Sequence, residues 1–529
     1  MPEISQATKK LISGYKNWYS SSRIKEGIPT IHVDEVVSRV ATFYEKMRGI
    51  VDWREEHLLR KTAIERVLKR RLFLRRKGKE ISEPFVNELI RGGHFLNDAI
   101  PETKIAEIQK SIDKYTYILD NLDSIPSSSN KKGHMQLHDW VLGIAACEIE
   151  EILAPPIRET ALMGFMLELM RERIESKISQ EEKNTQIYIA IQKALFKFDV
   201  PLISYNLLKT WLPDWRNLPS EKFEQIAKNI YFTWEKVENS LRHPLTEKFY
   251  AICERYDTAY LILGDIISAE PSEIENILSN PEVLENKIKA VYKERLKKVK
   301  GSLKRAAFYS TLSILLSKML IAFAIEVPFD KYVTGAFDYF NMGINILIPP
   351  LLMVFLVISI KPPSRQNEQL VVMEIMKIAY EREGKDIYEI RTAPKRGLIL
   401  NSIMVLIYLL SFIASFGLIV WGLRKLNFSP ISIIIFLMFT SLISFAGIKI
   451  RQRARELKME KDKESFLQTF IDLFSLPIIQ VGKWLSSQWQ KYNAVAVLLN
   501  SLLDMPFQVF LEFLEQWRSF LREKKEEIH

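Results

Sequence analysis

Cysteine is nearly missing from this chain: Cys147 and Cys253 are the only two in 529 residues. That excludes a disulfide framework and any cysteine-cluster zinc module. Glycine is scarce as well, with 19 residues against a usual share of ~7%, which excludes collagen-like and most glycine-rich β architectures. The phosphate loop GxxxxGK(S/T) and the HExxH, GxSxG and CxxC patterns do not occur, and Gly92-Gly93 is the only glycine pair. The usual signatures of nucleotide binding, zinc peptidases, serine hydrolases and thiol redox chemistry are therefore missing. The opening MPEISQATKK holds no apolar signal region, so the first 300 or so residues are expected in the cytosol, a reducing compartment that suits two unpaired cysteines.

What the chain does have is apolar length. Hydrophobic residues make up 47% of it and concentrate after residue 305, in four runs: Ala306–Val327, Phe340–Ile360, Gly397–Leu423 and Phe428–Ile448. About 20 helical residues cross a hydrocarbon core of ~30 Å, and all four runs are long enough. The last three carry no charged side chain; the first carries Lys318 and Glu326.

The net charge of +10 is distributed in a way that orients these spans. Residues 287–305 hold nine Lys or Arg, the loop 361–396 holds eight and 449–463 holds seven. The other two loops hold only Lys331 and the Arg424-Lys425 pair. Basic residues are retained on the cytoplasmic side, so both termini are expected in the cytoplasm, with two short external loops at 328–339 and 424–427.

Polar groups inside apolar spans are the first functional candidates. Lys318 lies about 13 Å from the outer end of its run at helical rise, with Glu326 eight residues on and on a similar face. An ion or proton pathway is one reading; pairing within the bundle or snorkelling is the other. Pro349 and Pro350 remove two backbone donors mid-span and are expected to kink or interrupt the helix, with Asn341 and Asn345 one turn apart in its outer half. Broken helices line substrate sites in many transporters.

After the membrane, Phe466, Phe470 and Phe474 recur every four residues and give one apolar face, with Pro477 expected to end that helix. Asn500, Asp504, Gln508, Glu512 and Pro506 interrupt the next apolar run, which argues against a fifth span. Trp484, Trp489 and Trp517 suit headgroup level. The tail is expected to lie on the membrane surface or to fold back onto the cytosolic region.

Residues 1–305 read as helical, with apolar residues at three and four spacing and no useful strand pattern. The best boundary is the Ser-, Pro- and Lys-rich stretch 124–134, with a second break near 212–220, where Trp211 and Trp215 flank Pro213. Residues 66–79 (RVLKRRLFLRRKGK) hold eight Lys or Arg. Within them Lys69, Arg70, Arg71, Arg75, Arg76 and Lys77 are candidates for binding an anionic surface, above all anionic lipid at ~1 kcal/mol per residue. A solvated helix face is the alternative, and nucleic acid the weakest reading, since no aromatic platform accompanies the charge.

Catalytic constellations are few. His134 and His138 are four apart on one helix face and form a weak metal candidate that lacks a third ligand. The His138-Asp139 pair, with His94 upstream, invites comparison with metal-dependent HD phosphohydrolases, but the glycine and charged-residue context of that family is missing. Glu148, Glu150 and Glu151 read as an acidic run on a helix surface, and Cys147 as a small core residue. No catalytic residue and no cofactor is assigned.

Four phrases, VDWREEHLLRKTAIERVLKRRL, HPLTEKFYAICERY with LILGDII, FAIEVPFDKYV and LREKKEEI, together resemble a group of uncharacterised bacterial multi-pass membrane proteins with a large N-terminal cytosolic helical region. The resemblance implies a bacterial inner-membrane location and carries no activity or site residue.

The expectation is an all-α chain. It comprises a helical subdomain over 1–123, a linker at 124–134, a second helical subdomain with a basic lead-in helix over 135–305, a four-helix transmembrane domain over 306–448, and amphipathic helices over 449–529. The expected function is that of a non-enzymatic interaction or scaffold protein, with a protein partner or a second copy of itself. A solute or ion transporter is the alternative, and a membrane-tethered metal-dependent hydrolase the weaker one.

Overall fold

A computed structural model describes residues 4–21, 27, 29–33, 56–74, 81–123, 131–335, 338–360, 363–380, 386–391, 397–455, 457–459 and 466–491, with single positions between 510 and 524. These residues are almost wholly helical, and the fold is all-α. Helix starts follow local chemistry. Asp199, Asn280 and Ser429 each cap a helix that has proline in its first two positions, accepting from the amides of Leu202 (3.2 Å), Glu282 (3.1 Å) and Ser432 (3.3 Å). The side-chain oxygen satisfies an end amide that has no intrahelical acceptor, and proline brings no such amide.

A polar body is built from α1 (Gln6–Ser21), α2 (Glu56–Leu74), α3 (Ser82–Arg91), α4 (Thr103–Asp123), α5 (Lys131–Leu153), α6 (Ile157–Arg173), strand β1 (Ile174–Ser176), α7 (Gln180–Phe196), α8 (Val200–Trp211), α9 (Ser220–Lys228), α10 (Ile230–Leu241), α11 (Thr246–Ala269) and α12 (Ile274–Ser279). Among the described residues it holds two large hydrophobic clusters. One joins α1, α6, α7, α11 and α12 through side chains such as Leu11, Met166, Ile191 and Phe249. The other joins α2, α3, α4, α5, α8, α9 and α10 around Phe85, Ile112, Trp140 and Trp215.

These cores do not divide the chain at 124–134. α1 packs on α6, where Gly14 lets the helices approach so closely that a Cβ there would meet that of Ala161 at 2.7 Å, while α5 packs on α2 and α4. Helix α5 also begins at Lys131, inside the expected linker; residues 124–130 lie outside the described set. The expected break at 212–220 is likewise part of a core, since Trp215 is fully buried in a 3-10 turn.

From the body, α13 (Pro281–Ile321) leaves with Leu284, Ile288 and Tyr292 still buried in the first cluster. It then continues as a π-helical segment Ala322–Glu326, one α-turn Val327–Phe329 and a second π segment Asp330–Thr334, ending at Gly335 in the left-handed region (φ 65°). The loop expected from residue 328 is thus helical to Thr334. Pro328 lies between the two π segments: a proline inside a helix lacks a donor and crowds the carbonyl of residue i−4, and the wider turns accommodate it.

Helix α14 (Tyr339–Ile358) runs through Pro349 and Pro350 without a break, so of the two expected outcomes, kink or interruption, the interruption does not occur; both prolines are buried.

The chain next re-enters the body. α15 (Arg365–Tyr380) and strand β2 (Tyr388–Ile390) join the first cluster, and β2 pairs parallel with β1, Ile174 opposite Tyr388 and Ser176 opposite Ile390. Arg173 and Glu374 form a buried ion pair at 2.5 Å, Tyr380 donates to the Leu278 carbonyl at 2.7 Å, and Ser5 donates from its amide to Ala379 at 3.1 Å. Helices α16 (Leu398–Lys425) and α17 (Pro430–Ala454) follow as a hairpin, after which Leu457 returns to the same cluster.

Four helices, Pro281–Val333, Tyr339–Ile358, Ile399–Lys425 and Pro430–Ala454, are long and apolar enough to cross a membrane. Their outward side chains, including Leu320, Phe355, Ile399, Leu410 and Leu418, are large, apolar and exposed. Soluble monomers rarely show contiguous apolar surface on this scale, and the bundle associates with a membrane.

Helix α18 (Phe466–Lys491) passes through Pro477 rather than ending there. It packs along α16 and α17: Ser411 and Ser415 donate to the carbonyls of Leu473 and Phe474 at 2.7 Å each, and Tyr408 donates to Gln480 at 2.7 Å. A Cβ on Gly482 would collide with the Ser441 carbonyl. Ser411 and Ser441 are mid-helix positions, so α18 lies beside the bundle. For this helix the contact is with the bundle rather than with the body, and the cause is local: small and hydroxyl residues let helix backbones meet closely in apolar surroundings; most of the tail after residue 491 lies outside the described residues. Trp484 is exposed on α18, and Trp517 is exposed further along.

Candidate functional site

The sequence candidates within the spans converge on one carboxylate. Lys318, on α13, donates to Glu326 Oε1 at 2.5 Å; the exposures of the two side chains are 0% and 5%. Asn345, on α14 and 3% exposed, donates from Nδ2 to Glu326 Oε2. Ser432, in the first turn of α17, lies 3.5 Å from Glu326 Oε2 and 3.4 Å from Asp330 Oδ2. Phe439 of α17 covers the ammonium, its ring centre 5.5 Å from Nζ.

Three helices thus contribute to one polar cluster. The π turn explains part of its geometry. The Val327 amide bonds Ala322 at i−5 rather than i−4, which widens the helix where Glu326 must turn inward, and such bulges are frequent at functional sites. Pro349 and Pro350 add a second effect. Without their amides, the carbonyls of Asn345 and Ile346 have no α-helical donor at i+4.

Isolated charges are costly inside a bilayer, and a paired set with hydrogen bonds to each oxygen is how such charges persist. Lys318, Glu326 and Asn345 were legible as candidates; Asp330 was not, because it falls in the stretch expected to be a loop from residue 328, and Ser432 was not, because it comes close only in the folded bundle. Asn341 is half-buried one turn before Asn345 on α14.

The basic stretch on α2 is largely committed within the body. Arg70 and Arg71 both bond Glu88, a carboxylate 6% exposed, with Arg71 Nη2 at 2.8 Å. Lys69 pairs with Asp139 at 2.9 Å on the surface. A buried carboxylate from α3 thus draws Arg70 and Arg71, two of the candidates for binding an anionic surface, inward. Arg75, Arg76 and Lys77 lie outside the described residues.

The acidic run of α5 is not a plain solvated face either. Glu148 is buried and accepts from Lys114 (2.5 Å) and Tyr115 (2.8 Å), with the Trp215 indole donating to Tyr115 at 3.0 Å. Burial pulls Lys114 below the usual lysine range and the neighbouring carboxylate partly offsets it. Glu150 accepts from Arg60 at 3.1 Å and Glu151 from Lys209 at 2.6 Å. Burial also pushes Glu150 up and the Cys147 thiol well up, so Cys147 has the character of an inert core thiol rather than a nucleophile.

His134 bonds the Leu122 carbonyl at 3.1 Å, and His138 lies one turn further along α5. Among the described residues no group of three or more His, Cys, Asp or Glu is placed to hold a metal. No protein-family model, curated protein or solved structure matches the chain.

Proposed function

We propose that this is a multi-pass protein of the bacterial cytoplasmic membrane, both termini cytoplasmic, whose helical body is held in a fixed pose at the membrane for a protein partner. The observation that carries the reading is the mounting. α13 is continuous from the body core at Leu284 to the buried Lys318, and both α15 and Leu457 return to that same core. Each apolar hairpin therefore begins and ends at the body, which agrees with the orientation implied by the basic flanks. A body tied at three points to its membrane helices presents one face steadily, as a scaffold requires, and Lys69 with the basic lead-in helix would lie near anionic headgroups.

The test is crosslinking in intact membranes with a tag on the N-terminus, followed by mass spectrometry. A stoichiometric cytosolic partner is expected; crosslinks only between copies of this chain would refute the reading. Protease protection in oriented vesicles checks the topology, and an externally cleaved N-terminus would overturn it.

A second reading, ion or solute transport, is favoured by one specific observation: the Lys318, Glu326 and Asn345 cluster joins three helices at a π-helical turn. Flux that disappears in Lys318→Met would put this reading first.

A further inference from the structure

We infer that the rim of the bundle nearest the body binds the headgroup of an anionic phospholipid, one whose phosphate is not balanced by an amine of its own. Its ligands are Lys300, Lys304 and Arg305 of α13 with Lys449 and Arg451 of α17, and all five side chains are exposed. The inference rests on the membrane placement of the bundle in the reading above, and on neither its orientation nor its protein partner.

Packing brings the two sets together. Leu303 of α13 and Ile450 of α17 belong to one hydrophobic cluster, with Ile360 just past the end of α14. The flanking bases, Lys304 beside Leu303 and Lys449 with Arg451 on either side of Ile450, therefore lie at one level of the bundle. Phe308 and Tyr309, 65% and 64% exposed and in edge contact at 5.7 Å, follow one turn further along α13. Aromatic rings of this kind mark the boundary of the hydrocarbon. From Lys300 to Arg305 the helix rises about 8 Å, close to the ~5–8 Å depth of one headgroup layer.

Charge identifies the occupant. Nearer the body, the bases of α13 meet acids of this chain: Lys287 pairs with Glu270 at 2.5 Å, Lys289 with Glu285 at 2.5 Å, Arg295 with Asp265, and Lys298 with Glu294 at 2.7 Å. At the rim such acids are missing. Neither α13 between Leu296 and Ile325 nor α17 between Pro430 and Ala454 contains an Asp or Glu. Among the described residues none of the five bases is paired with a carboxylate. Their counter-charge therefore comes from outside the chain, and at this depth the abundant anion is the headgroup phosphate. A zwitterionic headgroup carries its own ammonium, whereas an anionic one has a charge to share. Arginine grips a phosphate through two N–H groups, and lysine meets it as a point charge.

The test uses the full-length chain in mixed micelles holding equal amounts of phosphatidylglycerol and phosphatidylcholine, with bound lipid counted by native mass spectrometry. Each basic residue at a membrane surface is worth about fivefold in association with anionic lipid, so phosphatidylglycerol should be retained at least about tenfold over phosphatidylcholine. Lys300→Gln/Lys304→Gln/Arg305→Gln should lower that preference at least about tenfold. A control that removes three ion-paired bases, Lys69→Gln/Lys287→Gln/Lys289→Gln, has the same net charge and should keep the preference. Equal retention of the two lipids, a preference unchanged in the rim variant, or one lost to the same extent in the control would each overturn the inference. Because the ratio is read in micelles, it depends on neither topology nor a partner, and either of those readings can fail alone.

Discussion

Replacing Lys318 by methionine is the most direct probe of the membrane bundle. The side chain is 0% exposed and its ammonium is 2.5 Å from Glu326, so the substitution keeps length and removes one charge of a pair. Truncating one partner of a buried ion pair costs about 3–5 kcal/mol, because the remaining charge is left uncompensated. Glu326→Gln alone should cost a similar amount by stranding the ammonium.

The double variant Lys318→Met/Glu326→Gln strands neither charge, and its amide can still meet Asn345 and Ser432. It should lie within about 2 kcal/mol of the natural protein, giving a coupling energy of several kcal/mol in a double-mutant cycle. Neutral hydrogen bonds between membrane helices average only ~0.6 kcal/mol by the same method, so the two cases separate clearly. Reversible unfolding in mixed micelles, run on all four proteins, provides the measurement. If the losses of the two single variants simply add in the double, the pair is not coupled and the reasoning fails.

Three further outcomes follow from the same packing. In the body, burial raises the Asp257 carboxyl to about 7, partly offset by Lys197. Between about pH 4 and 7 the folded chain then holds a proton that the unfolded chain has lost, so stability falls as pH rises through that window, by roughly 4 kcal/mol in all. Asp257→Asn should flatten this slope in denaturation midpoints taken from pH 4 to 8, and an unchanged slope would count against it. Gly482→Ala should destabilise the bundle by about 1–3 kcal/mol through overpacking against Ser441. Gly343→Ala, with open space around it, should not, and equal thermal shifts for the two would reject the close crossing of α17 and α18. Arg173→Ala strands the buried Glu374 and should cost about 3–5 kcal/mol, with faster hydrogen exchange in residues 365–390 as its signature.

Much of the membrane half was legible because apolar length is a one-dimensional signal, and a pair eight residues apart on one helix, such as Lys318 and Glu326, is nearly so. Ser432 lies about a hundred residues away on a helix with no distinguishing motif, so only packing reveals it. The π segments left one trace, Pro328, which reads equally well as the start of a loop. Pro477 misled in the same way, since a proline ends a helix in water more readily than one supported by neighbouring helices in apolar surroundings. Glu148 and Glu88 sit in runs that resemble solvated faces; their burial depends on Lys114, Arg70 and Arg71 arriving from other helices. Nothing in Arg365–Tyr380 or Tyr388–Ile390 announces that they belong to the body, because a three-residue strand and one amphipathic helix are weak signals in isolation.

That return segment bears on the order in which the protein can be made. The first core contains Val371, Ile375, Ile390 and Leu457 as well as residues from the N-terminus. When the ribosome has finished residue 305, the cavity that α15 will fill is still open, and the 85 residues up to Ile390 take roughly 4–17 s at the usual ~5–20 residues per second. During that interval the rest of α13 and α14 are made while the body waits with apolar surface uncovered, a natural window for a chaperone. A soluble fragment cut at residue 305 would be held permanently at that unfinished stage. The unit suitable for isolated study is therefore the whole chain rather than its polar half.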